Sequence, residues 1–213
     1  TQAGCNGRHL WEVDLVLENS VTLGRVAATV TAELPVDEAF ERDNVRPLIE
    51  QLRPLLARGL GRVTDSPDLV PNGCCGGAAC PESALHNFVT DGLIARLRAR
   101  GQSVDLVMLD ASAINLCLMP GQSIAYDDWL SVMPYADTIV FFSLSGRALR
   151  DFIQDNARRA DAPGEAHIER GYQHFSADVR YRIPSNTAES GARAVDIVVQ
   201  GVPLEQNLDT VYR

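Results

Sequence analysis

Lysine is absent: all 19 basic residues of this 213-residue chain are arginine, and 28 acidic residues outnumber them. The formal charge of −9 and a pI near 4.9 exclude broad, charge-driven binding to nucleic acid or to an anionic membrane, because neutralising phosphates needs clustered Lys and Arg. Arg147, Arg150, Arg158 and Arg159 do cluster, and they read as a solvated helix face. No apolar run approaches the roughly 20 residues that span a bilayer. The opening Thr1-Gln2-Ala3-Gly4-Cys5 has no basic end followed by an apolar stretch, and no initiating Met. It reads as the start of a processed or incomplete chain, which leaves room for a signal peptide already removed.

Metal-binding motifs are missing too. His9, His86, His167 and His174 are scattered, with no His-x-His, Asp-x-His or His-Glu-x-x-His pair, so a complete metal centre is not expected from this chain. Of five cysteines, three fall in Cys74-Cys75-Gly76-Gly77-Ala78-Ala79-Cys80. No second Cys or His pair with ligand spacing supports zinc there, whereas a disulfide from Cys80 to Cys74 or Cys75 would fit an oxidising compartment.

What is present is apolar content of 46%, enough for a sizeable core in one domain or one domain plus an appendage. Period-two alternation predicts strands at His9 to Leu17 and Val26 to Glu33. From Asp37 to Gly59 the period turns helical, with Val45, Leu48, Ile49, Leu52, Leu55 and Leu56 on one face; Pro47 and Pro54 should bend or divide it, and Gly59 and Gly61 end it. The Gly, Pro, Asp and Cys-rich stretch Thr64 to Ala79, or the helix before it, marks the domain border. A helix opens at Pro81, carries Leu85, Phe88, Val89, Leu93 and Leu97, and stops at Gly101. Val104 to Leu109 and Thr138 to Leu144 read as central strands, Tyr126 to Leu130 as a short helix, and Ser145 as the cap of a helix with Leu149, Phe152 and Ile153. A polar loop, Ala160 to Glu169, and strands at Phe175 to Ile183 and Ala194 to Val199 follow.

The stretch from Cys80 to Leu149 is the most informative. A strand ends in the small-residue turn Leu109-Asp110-Ala111-Ser112-Ala113-Ile114, and an aromatic turn follows at Met133-Pro134-Tyr135-Ala136-Asp137. One offers close backbone approach and the other a ring, as a flat ligand in a cleft requires. Asp110 is placed either to cap the turn or to accept hydrogen bonds from a sugar hydroxyl. Tyr135 is placed to stack on a base. Ser112 lacks the flanking glycines of a nucleophile elbow and has no acid and His at suitable spacing. His86, one turn from Glu82, reads as a surface or capping residue; His174 either meets backbone at a strand end or points into a cleft.

Taken in order, five segments resemble the C-terminal, substrate-binding domain of the 5′-nucleotidase family, which includes bacterial UDP-sugar hydrolases and bifunctional metallophosphatases. They are Glu82 to Gly92, Leu109 to Asn115, Met133 to Thr138, Leu144 to Leu149 and Gly171 to Ser176. The second is similar to the family's Asn-Gly-Gly-Gly-Ile-Arg turn and the third to its Leu-Pro-Phe-Gly-Asn-Thr turn. The opening through Asp14-Leu15 resembles the last strands of the family's metallophosphatase domain.

The resemblance implies an α+β fold: a layered α/β sandwich with a mixed sheet, preceded by a small strand remnant and a connecting helix. The implied domains are residues 1–36, ending a metallophosphatase domain; residues 37–62, a connecting helix on the hinge side; and residues 63–213, a substrate-binding domain incomplete at its end. It implies a periplasmic or secreted, nucleotide-hydrolysing metallophosphoesterase whose two divalent metals belong to a domain absent here, so this chain alone would be inactive and carries no cofactor. Asp110, Ser112, Asn115, Tyr135 and His174 would bind a nucleotide or nucleotide sugar, Tyr135 as one of two aromatics that sandwich the base. The expected partners are that ligand and the absent domain, with no nucleic acid and no membrane span. Asp110 stands where the family has Asn, and Asn115 where it has Arg; Ala78 to Pro81 lack its upstream arginines. Losing those guanidinium groups weakens phosphate or carboxylate recognition, so either Arg62 or Arg170 compensates or the ligand differs. A non-catalytic binding module that kept the fold is the alternative, and a hydrolase of a sulfur ester or cyclic nucleotide a third reading.

Overall fold

The computed structural model describes residues 9–17, 21–30, 35–64, 82–160, 171–184 and 193–213. By internal contacts the chain forms two compact units, Thr1–Pro54 and Leu55–Arg213.

In the first unit, β1 (His9–Leu17) pairs antiparallel with β2 (Val21–Thr29), from His9 opposite Thr29 to Leu17 opposite Val21. The strand expected at Val26 to Glu33 therefore begins earlier, since its partner's length and the short connection set the register; residues 31–34 lie outside the described set. A helical segment follows as α1 (Glu38–Phe40), a wider π turn at Glu41–Val45 and α2 (Arg46–Leu56). Asp37 caps the start by accepting from Phe40 N–H at 2.9 Å. Pro47 explains the division: it has no N–H and its ring displaces the carbonyl one turn back, so the Arg46 N–H reaches Glu41 O, five residues away. Gly59 and Gly61 do not end this helix. It stops at Leu56, and both glycines lie in β3 (Gly59–Arg62), where the register shifts between them.

The second unit is built on α3 (Ala84–Ala99), β4 (Met108–Asp110), β5 (Ser123–Ala125), α4 (Tyr126–Val132), β6 (Leu144–Ser145), α5 (Gly146–Ala160), β7 (Gln173–Phe175), β8 (Val179–Arg182), β9 (Val195–Val199), β10 (Val202–Pro203) and β11 (Val211–Tyr212). Its described strand pairs, β3 with β5, β4 with β7, β6 with β11, β8 with β9 and β9 with β10, are all antiparallel. The fold is α+β: helices set against small antiparallel sheets.

β7 shows how the layers form. Successive side chains on a strand point to opposite faces, and here His174 stacks on His86 of α3 while Phe175 joins the core of α5. That core gathers Leu149, Ile153 and Ala157 with Phe175, Val179, Val199, Leu204 and Tyr212. Its helical spacing is what the sequence predicts for α5, and Ser145 Oγ accepts from Ala148 N–H at 3.2 Å as the expected cap. A smaller cluster holds Ile94 and Leu97 of α3 against Val104 and Val107. Thr90, fully buried, has its one hydroxyl proton within reach of His86 O at 2.9 Å and of Phe175 O at 3.2 Å, and donation to the latter links α3 to β7.

Two amides glue α5 to the strands. Asn156 donates to Gln173 O and accepts from Gln173 N–H, both at 2.8 Å, as a neighbouring strand would. Gln154 does the same to Ala194, at 2.8 and 3.0 Å.

Both expected central strands fail in large part. Val104 to Leu109 is strand only from Met108, in a two-stranded pair with β7. Of Thr138 to Leu144, only Leu144–Ser145 enters a sheet, and Ile139, Val140, Phe141 and Phe142 are 40–73% exposed. An apolar run of strand length becomes a strand only where a partner edge satisfies its backbone, and no described segment pairs with 138–143. Their side chains instead line a cavity.

Candidate functional site

The turn after β4 is shaped by Asp110. Its Oδ1 accepts from Ser112 N–H at 2.8 Å and from Ser112 Oγ–H at 2.6 Å, an Asx-type closure that winds Ala111–Ala113 into one 3-10 turn. Its Oδ2 accepts from Gln173 Nε2 at 2.7 Å, directly across the β4–β7 pair. Ala111 N–H donates to Tyr172 O at 2.8 Å, and Asn115 N–H donates to Val132 O at the end of α4. Asn115 thus ties the small-residue turn to the segment that leads into Tyr135. α4 itself begins where Asp128 Oδ2 accepts from Ala125 N–H at 2.7 Å, half of a capping box.

Beside this turn lies a cavity of about 720 Å³. Trp129, Met133, Tyr135, Phe88, Phe141 and Phe142 give it aromatic and sulfur-bearing walls, and Asp137, Arg96, Arg213 and Gln173 supply the polar groups. Tyr135 is 56% exposed on its proline turn and is among the cavity's lining residues. The Arg213 guanidinium sits 5.2 Å over the Phe141 ring. Large apolar cavities with a few polar groups are the usual form of small-molecule sites.

Of the five sequence-predicted residues only Tyr135 lines this cavity; Asp110, Ser112 and Asn115 lie on the turn, where Asp110 bonds Gln173, a residue of the cavity wall. His174 does not join them. Its ring is buried on the opposite face of β7, 3.9 Å from the His86 ring and edge-on to Tyr172 at 5.2 Å. It borders a second, more polar cleft with Glu82, Asn87, Tyr172 and Tyr181. His86 is no surface residue: it is buried, and its Nε2 lies 3.2 Å from Ala111 O, in the turn after β4. Its i+4 spacing to Thr90 on the buried stripe was the available signal.

Arg159 also departs from the expected solvated face. Its Nη1 donates to Gly171 O at 2.8 Å and its Nη2 to Asp155 at 2.6 Å. Gly171 has φ +71, and a Cβ there would stand 3.3 Å from Arg159 Nη1 and 3.6 Å from Asp110 Oδ2. The left-handed backbone and the tight approach of Arg159 both favour glycine. Arg62, a candidate substitute for the missing guanidinium, donates instead to Gly121 O at 2.9 Å; Arg170 and the Cys74, Cys75 and Cys80 pairing lie outside the described residues. Cys117, two residues past Asn115, is disulfide-bonded.

Behind β7, the Tyr172 and Tyr181 hydroxyls meet at 3.2 Å, and Asn156 Nδ2 donates to Tyr181 at 3.1 Å. Burial pushes both phenols above their ordinary value near 10. Because the folded values are raised, this contribution to stability is complete below pH 10 and is lost as pH climbs toward them. Unfolding free energy should hold level between about pH 8 and 9.5 and then fall above about pH 10, by up to about 1.4 kcal/mol per pH unit per phenol. Denaturation midpoints should flatten in that range for Tyr172→Phe.

Among the described residues no group of three or more His, Cys, Asp or Glu could hold a metal ion, and no helix is long and apolar enough to cross a membrane.

The described elements make an α+β domain with an apolar cavity in its second unit. The model for the 5′-nucleotidase C-terminal domain matches residues 61–210, and the chain belongs to that family. A probable 5′-nucleotidase of Treponema pallidum (strain Nichols) is 28% identical over 119 residues, 55% of this chain and 19% of that protein. Two solved structures share the fold: a 5′-nucleotidase precursor from Thermus thermophilus (20% identity, TM-score 0.56, 96% of this chain and 38% of that one), and a putative 5′-nucleotidase from Staphylococcus aureus in complex with α-ketoglutarate (16% identity, TM-score 0.63, 96% and 40%). The chain thus spans well under half the length of these relatives.

Proposed function

We propose that this chain is the substrate-holding portion of a 5′-nucleotidase-like phosphoesterase acting on nucleotides or nucleotide sugars. The base stacks on Tyr135 in the aromatic cavity, and the sugar lies at the Asp110 to Asn115 turn. The observation that carries this reading is the exposed Tyr135 lining a cavity whose wall residue Gln173 bonds Asp110.

The family implies a pair of divalent metals, and the described residues do not fit one. In this reading phosphate hydrolysis belongs to a metallophosphatase domain outside this chain, whose two ions would activate water and clamp the reacting oxygens. What this chain supplies is positioning: holding base and sugar fixes where the phosphate stands. In this reading residues 1–36 end that other domain, 37–62 connect, and 63–213 bind. The bonded state of Cys117 supports a periplasmic or secreted setting, since disulfides persist in oxidising compartments.

Calorimetric titration tests the reading. Adenosine, AMP and UDP-glucose should each give saturable heat with the chain, while inorganic phosphate alone should give none. Binding of phosphate without a base, or of none of these ligands, would overturn it.

A further inference from the structure

We propose that the end of the cavity next to β11 is a slot for one further β-strand, filled by an extended apolar segment joined to Arg213 and running on in the direction of β11.

β11 is hydrogen-bonded along both edges at its last residues. On one side Val211 stands opposite Ser145 and Tyr212 opposite Leu144, and Gly146 N–H donates to Thr210 O at 2.8 Å. On the other side Asp105 N–H donates to Arg213 O at 2.7 Å, and Asp105 Oδ2 accepts from Arg213 N–H at 2.9 Å. β11 therefore holds the two flanking segments one strand apart, at about 4.8 Å per pairing. Both segments continue past it as walls of the same cavity, Leu106 to Leu109 on one side and Ile139 to Phe142 on the other.

Each wall offers backbone to a strand. Among the described residues no hydrogen bond reaches the N–H or C=O groups of 138–143. Along β4, Ser176 N–H donates to Val107 O and Ala111 N–H to Tyr172 O. Alternation in an antiparallel ladder then turns the N–H and C=O of Met108 to the edge away from β7. Edges of this kind recruit a strand. The register is already set: carried on from β6 and β11, the positions after Arg213 would face Phe142, Phe141, Val140, Ile139 and Thr138 in turn.

The chemistry of the segment follows from what covers it. Leu93 and Leu97 of α3 and Leu149 of α5 also line the cavity, and β7 packs against these two helices from opposite faces. A strand in the slot would be covered on both faces, and strands so covered are near-continuous apolar runs. Val104 to Leu109 and Thr138 to Leu144 have that composition themselves, as the two neighbours of a shared central strand should. Joined to Arg213, the segment enters already aligned, at an effective concentration that a separate chain does not reach. Tyr135 precedes the run that the strand would cover, so base stacking there stands or falls separately.

Amide hydrogen exchange on the chain extended after Arg213 by Thr-Val-Ile-Val-Thr tests the slot. The amides of Met108, Val140 and Phe142 should exchange about tenfold to a hundredfold more slowly than in the unextended chain, since new backbone hydrogen bonds must open first. The extension Thr-Pro-Ile-Pro-Thr, whose prolines lack donors and do not fit a central strand, should leave them unchanged. Should the first extension self-associate, Thr-Val-Gln-Val-Thr takes its place and should give the same protection. Unchanged exchange with the alternating extension would overturn the slot. So would equal protection from the proline extension, or protection that grows with protein concentration, which would assign these edges to a second copy of the chain.

Discussion

Asn156→Leu is expected to lower the unfolding free energy by about 2–4 kcal/mol, since it orphans two buried backbone groups at about 1–3 kcal/mol each. Asn156 is 1% exposed and serves both the N–H and the C=O of Gln173, the residue that in turn bonds Asp110. Leucine matches the amide in size but has no donor or acceptor, so the loss is of hydrogen bonds rather than of packing. Asn156→Asp keeps an acceptor for Gln173 N–H but sets a second carboxylate oxygen against Gln173 O and buries a charge, so at neutral pH it should cost at least as much as Asn156→Leu. Urea midpoints at constant m-value measure this directly. A loss below about 0.5 kcal/mol for Asn156→Leu, the range of an ordinary surface change, would show that α5 does not hold β7 in this way.

Tyr135→Ala is expected to weaken adenosine binding by about 5-fold to 100-fold, as base–aromatic stacking is worth about 1–3 kcal/mol per base. Because Tyr135 is 56% exposed and lies outside the buried core, the melting temperature should stay where it was. Tyr135→Phe keeps the ring and should bind within about twofold of the unmodified chain, since the hydroxyl contributes nothing to face-on stacking. Unchanged affinity in Tyr135→Ala would remove stacking from the account. A lower melting temperature in step with lower affinity would recast Tyr135 as structural.

The sequence carried the parts of this fold that rest on local rules. Alternation marked β1, helical spacing marked α5, and Ser145 marked its start, because caps and periodicity are written within a few residues. Asp110 was legible as a turn-closing residue for the same reason. What was hidden depends on partners remote in the chain. Gln154 and Asn156 look like ordinary solvated helix residues until strands 17 and 40 residues away present their backbones. Residues 138–143 have strand composition and no described edge to pair with. His86 and His174 are far apart in the chain, and only the pairing of β7 beside α3 stacks their rings. Arg159 was indistinguishable from its neighbours Arg158 and Arg150 until the backbone of Gly171 returned past it.

Photolabelling with 8-azidoadenosine tests the central claim most directly. The account predicts a covalent adduct on the peptide containing Met133 to Asp137, suppressed by excess adenosine and unaffected by excess inorganic phosphate. Labelling confined to other peptides, or labelling there that adenosine does not suppress, would contradict it.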